Sequence, residues 1–274
     1  MVSQTSIIFM ILAIIVSIAV PVITLIYFRR KQAPWKPVLI GILIFILFSQ
    51  VLEKFLHVYV LNTNTQAAEL MKNSYLYAFY GGLAAGIFEE FGRYVGFCFL
   101  LKKYREWKDG IAYGIGHGGI EAILIGAFAA FQNILMANLI NSGGFERLAG
   151  APGQDPNILM GIKDQLVNTS SYMFLLGGFE RIAAFVLQIA LSIIVLYAVK
   201  SKKPLYLLYA ILIHAAIDFV AVLSKSLEWS VWIPEGMLLV IALLSIVFIK
   251  KSKSWFDQRV DYRQESPEMG NLIN

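Results

Sequence analysis

The feature that most restricts this chain is a series of apolar runs too long for the core of a soluble domain. At about 20 residues per membrane crossing, they fall near 6–28, 38–61, 75–101, 110–140, 172–199, 204–223 and 230–249. Inside hydrocarbon each run must satisfy its own backbone hydrogen bonds, so each is expected to be a helix. The expected fold is an all-α, polytopic membrane helix bundle of about seven transmembrane helices. Composition agrees: 58% of the 274 residues are apolar and 15% charged, with a mean hydropathy of +0.67, more apolar surface than a soluble domain can bury. Pro234 and Glu235 interrupt the start of the last run. The first run has no basic segment before it and is too long for a signal-peptide core, so it is expected to be a retained helix.

Lysine and arginine placement orients the bundle. Arg29, Arg30, Lys31, Lys36, Lys102, Lys103, Arg105, Lys108, Lys200, Lys202, Lys203, Lys250, Lys251, Lys253, Arg259 and Arg263 fall on one side of a seven-span arrangement; Lys72, Arg147, Lys163 and Lys225 fall on the other. This asymmetry predicts an N-terminus outside and a C-terminus in the cytosol. The net charge of +5 then belongs to topology and anionic lipid headgroups. Membrane lipids are expected partners, and no nucleic acid is, because basic runs interleaved with stacking aromatics are absent. Cys98, the one cysteine, excludes a disulfide framework and a thiolate metal cluster. The chain is expected to form one transmembrane domain over 1–253, its catalytic core at about 75–225, and a polar, disordered cytosolic tail over 254–274. The long connection 141–171 is expected to be a lid or a mobile outer loop.

Against this background the stretch GIFEEFGRYVGF, residues 86–97, is anomalous. It puts Glu89, Glu90 and Arg93 in mid-span, where ionisable groups are costly and should face the bundle interior. Two further spans carry ionisable pairs: His117 with Glu121, and His214 with Asp218. Both pairs, like Glu89 and Arg93, are spaced i,i+4, which stacks the side chains on one helical face. Counted at 1.5 Å per residue from the nearest lysine on the basic side, Arg93, Glu90 and Glu89 lie roughly 13, 18 and 20 Å deep, His117 and Glu121 about 13 and 20 Å, and His214 and Asp218 about 17 and 23 Å. All should line one cavity, reached by water from the lysine-rich side. Gln188 shares this layer and can donate or accept there. By the same count Glu53, Lys54, His57, Glu180 and Arg181 lie toward the opposite surface and are expected to be solvated helix ends or loop contacts.

Glu89, Glu90, Glu121 and Asp218 against Arg93 leave three net negative charges with neutral histidines. Such a cluster in a low-dielectric bundle must bind protons or a cation. A carboxylate sharing a proton can serve as general base toward water. Alternatively, His117, Glu121 and His214 form a two-imidazole, one-carboxylate set of the kind that holds catalytic Zn2+ with an open position for water. A proton- or cation-coupled transporter would use the same layer, but with inverted repeats and broken midplane helices, for which Gly114, Gly116, Gly118 and Gly119 would loosen the fourth span. A non-catalytic scaffold would keep the histidines without needing the adjacent glutamates.

EEFGR, GHGGIE and LIHAAID, in this order across about residues 75–225, resemble the YhfC-type family of predicted intramembrane metalloproteases. That family is similar to a larger group containing the CAAX-prenyl proteases and Abi proteins, the PrsW proteases and the gamma-secretase scaffold subunit. The resemblance implies hydrolysis of a peptide bond in a membrane protein or lipidated peptide, within a multi-pass protein of the bacterial plasma membrane. It implies Glu89 as the water-activating base with His117, Glu90 paired with Arg93, and His214 and Asp218 polarising the scissile carbonyl or binding metal. The chain departs from the CAAX-type pattern at Asp218, where those enzymes usually carry Asn.

Overall fold

A computed structural model describes residues 1–151, 153 and 155–257. Seven long helices make up its body: α1 (Gln4–Arg30), α2 (Trp35–Thr63), α3 (74–100), α4 (Trp107–Asn141), α5 (Ser171–Ser201), α6 (Leu205–Ser226) and α7 (Trp232–Lys251). All but α3 are long and apolar enough by composition to cross a membrane; α3 is the helix that carries Glu89, Glu90 and Arg93. The described residues contain no strand, and the fold is a polytopic helical bundle, as expected.

Local chemistry sets several helix ends. Ser3 Oγ accepts from the Ser6 amide to start α1, and Asn73 Oδ1 accepts from Tyr75 and Leu76 to start α3, satisfying donors that an uncapped helix leaves open. Asp109 accepts from the Glu106 amide at 2.9 Å at the start of α4. Lys202, in the left-handed region at φ 56°, ends α5. The helices are not uniform: α2 over 45–53 and 59–63, α3 over 96–100 and α4 over 122–127 wind with i→i+5 bonds. Such widened turns redirect side chains and are frequent beside functional sites; here they border Glu53 and Glu121.

The lysine-rich ends meet. Trp107 Nε1 donates to Ile249 O and Ser252 Oγ, Lys200 Nζ donates to Phe256 O, and the Lys36 ammonium lies over the Tyr104 ring. At the other end Asn141 bonds both ways with Val2, and Tyr172 stacks on Trp232. The connection 141–171 holds two short helices, Phe145–Ala149 and Pro156–Asn168, docked through Phe145, Leu159 and Leu166 onto Val2, Met10, Ala137 and Ile140. The short helix Lys253–Asp257 packs its Trp255 against Tyr197, Tyr206 and Phe248. Ordered packing thus runs into the stretch expected to be tail, while residues 258–274 lie outside the described residues.

Every residue of α4 from Asp109 to Gly119 is buried, making this half-helix the centre of the bundle. Its glycines do not break it. They let neighbours approach: a Cβ on Gly116 would lie 2.0 Å from Val38 O of α2, and one on Gly114 would lie 2.6 Å from Ile189 Cα of α5. Gly82 and Gly86 likewise bring α3 against the backbone of α6 at Ala215 and Ile211. Small residues at the crossings are the usual means of close helix packing in membranes, where the hydrophobic effect adds little between helices. In contrast, α7 buries only Ser245.

Candidate functional site

Arg93 sits at the junction of α3, α4 and α5 with no exposed surface. Its Nε lies 2.9 Å from Glu90 Oε2, and Nη2 donates to Glu90 Oε1 at 3.1 Å, a two-point pairing across i,i+3 that a planar guanidinium allows. Its remaining donors reach α5: Nη1 donates to Gln188 O at 3.0 Å and to Ser192 Oγ, and Nη2 to Gln188 Oε1. Glu90, also fully enclosed, meets His214 Nδ1 at 2.8 Å through Oε1. The other nitrogen of His214 faces Asp218 Oδ2 at 3.5 Å.

Glu89, one residue earlier, points about 100° further around the same helix. Its Oε2 lies 2.9 Å from His117 Nε2 and accepts from Gln188 Nε2 at 3.0 Å. Gln188 Nε2 also donates to Glu121 Oε2 at 2.6 Å. With its oxygen on Arg93 and its nitrogen on two carboxylates, the Gln188 amide links both halves of the cluster. His117 is enclosed by the Tyr113 ring, stacked at 6.0 Å, and the Phe45 edge at 5.1 Å. Arg181 Nη1 approaches Glu121 Oε1 at 3.9 Å; its aliphatic stem lies over Gly126, where a Cβ would stand 2.7 Å from Arg181 Cγ.

The structure therefore brings Glu89, Glu90, Arg93, His117, Glu121, His214 and Asp218 into one connected polar cluster. It divides them differently from the expected metal set of His117, Glu121 and His214. The group whose ligand atoms all lie within 4.8 Å of one another is Glu89, His117 and Glu121. His214 is replaced in it by Glu89 because both imidazole nitrogens of His214 are turned to other carboxylates, Glu90 and Asp218. The Glu89–His117–Glu121 set suits a divalent ion: an imidazole nitrogen and two carboxylates are borderline-to-hard donors, and Glu89 and Glu121 border open space. His117 Nδ1 is buried without a protein partner.

That space is a cavity of about 280 Å³ lined by residues including Glu89, Glu121, Gln188, His214 and Asp218, and also by Glu53, Glu180 and Arg181. The last three were set aside in the sequence because they lie nearer the lysine-poor end. The cavity extends to their level. Glu53 is buried rather than solvated, with Oε1 held by His57 Nε2 at 3.2 Å and His57 Nδ1 on Tyr80 Oη at 2.7 Å. The Glu53–His57 spacing repeats the i,i+4 signal of the other pairs. Ser192 had no readable signal, since a serine within a buried helix is ordinary. On its lysine-rich side the cluster meets a packed layer of Ile44, Phe97, Leu101, Tyr113, Leu191, Val195 and Leu196.

Sequence comparisons show the family of the chain. The family model described as YhfC intramembrane metalloprotease matches residues 16–241. A Bacillus subtilis (strain 168) protein named "Uncharacterized membrane protein YhfC" is 44% identical over 259 residues, covering 93% of this chain and 100% of that protein. No solved structure matches. The apolar helices and this relative make the chain a multi-pass membrane protein, and a bacterial plasma membrane is consistent with the Bacillus relative. With the Glu89–Arg93, His117 and His214 segments all inside the matched span, the chain belongs to the YhfC intramembrane metalloprotease family.

Proposed function

We propose that the protein is an intramembrane peptidase that hydrolyses a peptide bond of a membrane protein or lipidated peptide. The observation that carries this reading is the placement of Glu89: a mid-span carboxylate held by His117 and Gln188 on the wall of a polar cavity. Glu89 takes a proton from water as the water oxygen attacks the scissile carbonyl carbon. His214, whose Nε2 faces Asp218 within the same cavity, donates toward the carbonyl oxygen as charge develops there. The proton held by Glu89 passes to the leaving amine nitrogen as the C–N bond breaks. Arg93 and Glu90 take no part in the transfer; they hold Gln188 and His214 in position.

Glu89, His117 and Glu121 are the residues that would hold a divalent metal, Zn2+ being the ion such donors suit. When bound, that ion supplies Lewis-acid polarisation and a more acidic water. Helices α3 and α6 run unbroken through Glu89–Arg93 and His214–Asp218, which favours a peptidase over a transporter built on discontinuous helices.

The test compares cells expressing wild type or Glu89→Gln, with membrane-protein N-termini mapped by mass spectrometry. New termini with wild type that disappear in Glu89→Gln are expected, since losing a general base typically lowers the rate about 10²–10⁴-fold. Identical termini in both would refute the assignment. Metal content of the two purified proteins separates the roles of Glu89: an ion lost with the amide makes it a ligand, and an ion retained makes it the base.

A further inference from the structure

We propose that the site is served through a wet vestibule opening at the lysine-poor face of the bundle, with Glu53 and its His57–Tyr80 support as part of its wall. The substrate class follows from the opening: a peptide segment presented from that side of the membrane, opposite to the lysine-rich loops.

Three independent observations carry this. The first is a gradient of side-chain exposure along the polar groups. Glu90 and Arg93 are 0% exposed; Glu89 is 7% and Glu121 10% exposed. Arg181 rises to 20%, Glu180 to 35%, His57 to 32% and Asp218 to 37%. Along every helix concerned, the more exposed groups are those nearer the lysine-poor end: Glu180 and Arg181 precede Gln188 on α5, which begins at that end, and Asp218 follows His214 on α6, which finishes there. The second is the shape of the space. The main cavity reaches Glu53, Ile125, Glu180 and Ala221 in that direction, and a neighbouring hollow lined by His57, Tyr77, Tyr80 and Val222 shares Asp218 and Ala221 with it. In the other direction lies the packed apolar layer around Tyr113 and Phe97.

The third observation concerns Glu53 itself. Its Oε1 is occupied by His57, but its Oε2 is buried with no protein partner. A carboxylate oxygen left without a donor in a dry interior is costly. On a cavity wall it is satisfied by water or by an N–H of a bound chain. The backbone of α2 widens to i→i+5 bonding over 45–53, up to and including this residue.

The substrate assignment rests on the peptidase reading above; the vestibule does not, and its test needs no cleavage. In the full-length protein with Cys98 replaced by serine, single cysteines are introduced at Ala85 and Ala221 on the vestibule wall. Another goes at Ala210, which is fully buried in the apolar layer. Thr63→Cys and Lys203→Cys, at exposed positions on opposite ends of the bundle, mark the two faces. Vesicles are treated with a charged, membrane-impermeant maleimide from one side at a time. Ala85→Cys and Ala221→Cys are expected to react from the face that labels Thr63→Cys, with Ala210→Cys unreactive from either. Adding Glu53→Leu, which makes the wall apolar, is expected to slow labelling of Ala221→Cys. Reaction of the wall cysteines only from the Lys203 face would overturn the proposal. So would their silence while Thr63→Cys reacts. Unchanged labelling with Glu53→Leu would remove Glu53 from the wall. A protein that cleaves nothing can still pass, so the two failures are separable.

Discussion

Arg93 with Glu90 in the centre of the bundle and Lys163 with Glu146 on the connection 141–171 are carboxylate–cation pairs of the same 2.9 Å separation. The first is completely enclosed; the second is open to solvent on the Glu146 side. Their difference teaches that distance is a poor measure of what an ion pair does. In the interior each charge has been stripped of water and depends on its partner, so removing one strands the other. At the surface water replaces a lost partner at little cost. The same contrast recurs within α3. Glu90 is sealed with Arg93 and His214, whereas its neighbour Glu89 borders the cavity, and the proposed mechanism assigns them different roles for that reason.

The comparison breaks most readily at Arg93. Arg93→Ala leaves Glu90 buried without its guanidinium and frees Gln188, so a loss of about 3–5 kcal/mol is expected, measured by thermal unfolding in detergent. A melting temperature equal to wild type would mean that the pair is dispensable. Arg93→Lys is expected to recover only part of the loss, because one ammonium cannot span Glu90, Gln188 and Ser192 at once. Next in size is packing without charge. Gly116→Ala would push a methyl against Val38 O, and overpacking of this kind typically costs about 1–3 kcal/mol. A neutral result there would show that α2 can shift away from α4.

The smallest effect belongs to the surface pair. The hydrogen bond from Lys163 holds the Glu146 carboxyl below its usual range. The sign follows: a carboxylate with a depressed folded-state pKa stabilises above its unfolded value, and that contribution is lost as pH falls through the folded one. Because Glu146 is solvated, Lys163→Ala is expected to leave the melting temperature at neutral pH unchanged. Any difference from wild type should narrow further as the carboxylate protonates in acid. A large destabilisation at neutral pH would instead show that the connection 141–171 depends on this contact.

Much of the site was legible before any coordinates. Charged residues at mid-span are too costly to be incidental, and the i,i+4 spacings of Glu89 with Arg93, His117 with Glu121, and His214 with Asp218 assign each pair to a helical face. Counting residues from the flanking lysines placed them at one height. Height, however, is a single coordinate. It could not show that His214 turns away from His117 toward Glu90, because that depends on the rotation of α6 against α3, set by the close approaches at Gly82 and Gly86. Nor could it show that Glu53, at a different height, borders the same cavity.

The sequence by itself determined that this chain is a membrane bundle with a polar layer, since hydrocarbon permits apolar helices and forces ionisable groups inward. Only the tertiary structure decided which glutamate is sealed and which borders the cavity, which three donors stand together, and which further residues line that cavity. Those outcomes depend on how far neighbouring helices rotate and how closely their small residues let them approach. Such long-range packing is distributed over contacts between segments far apart in the chain, as in the 95 residues separating Arg93 from Gln188, and no local pattern records it.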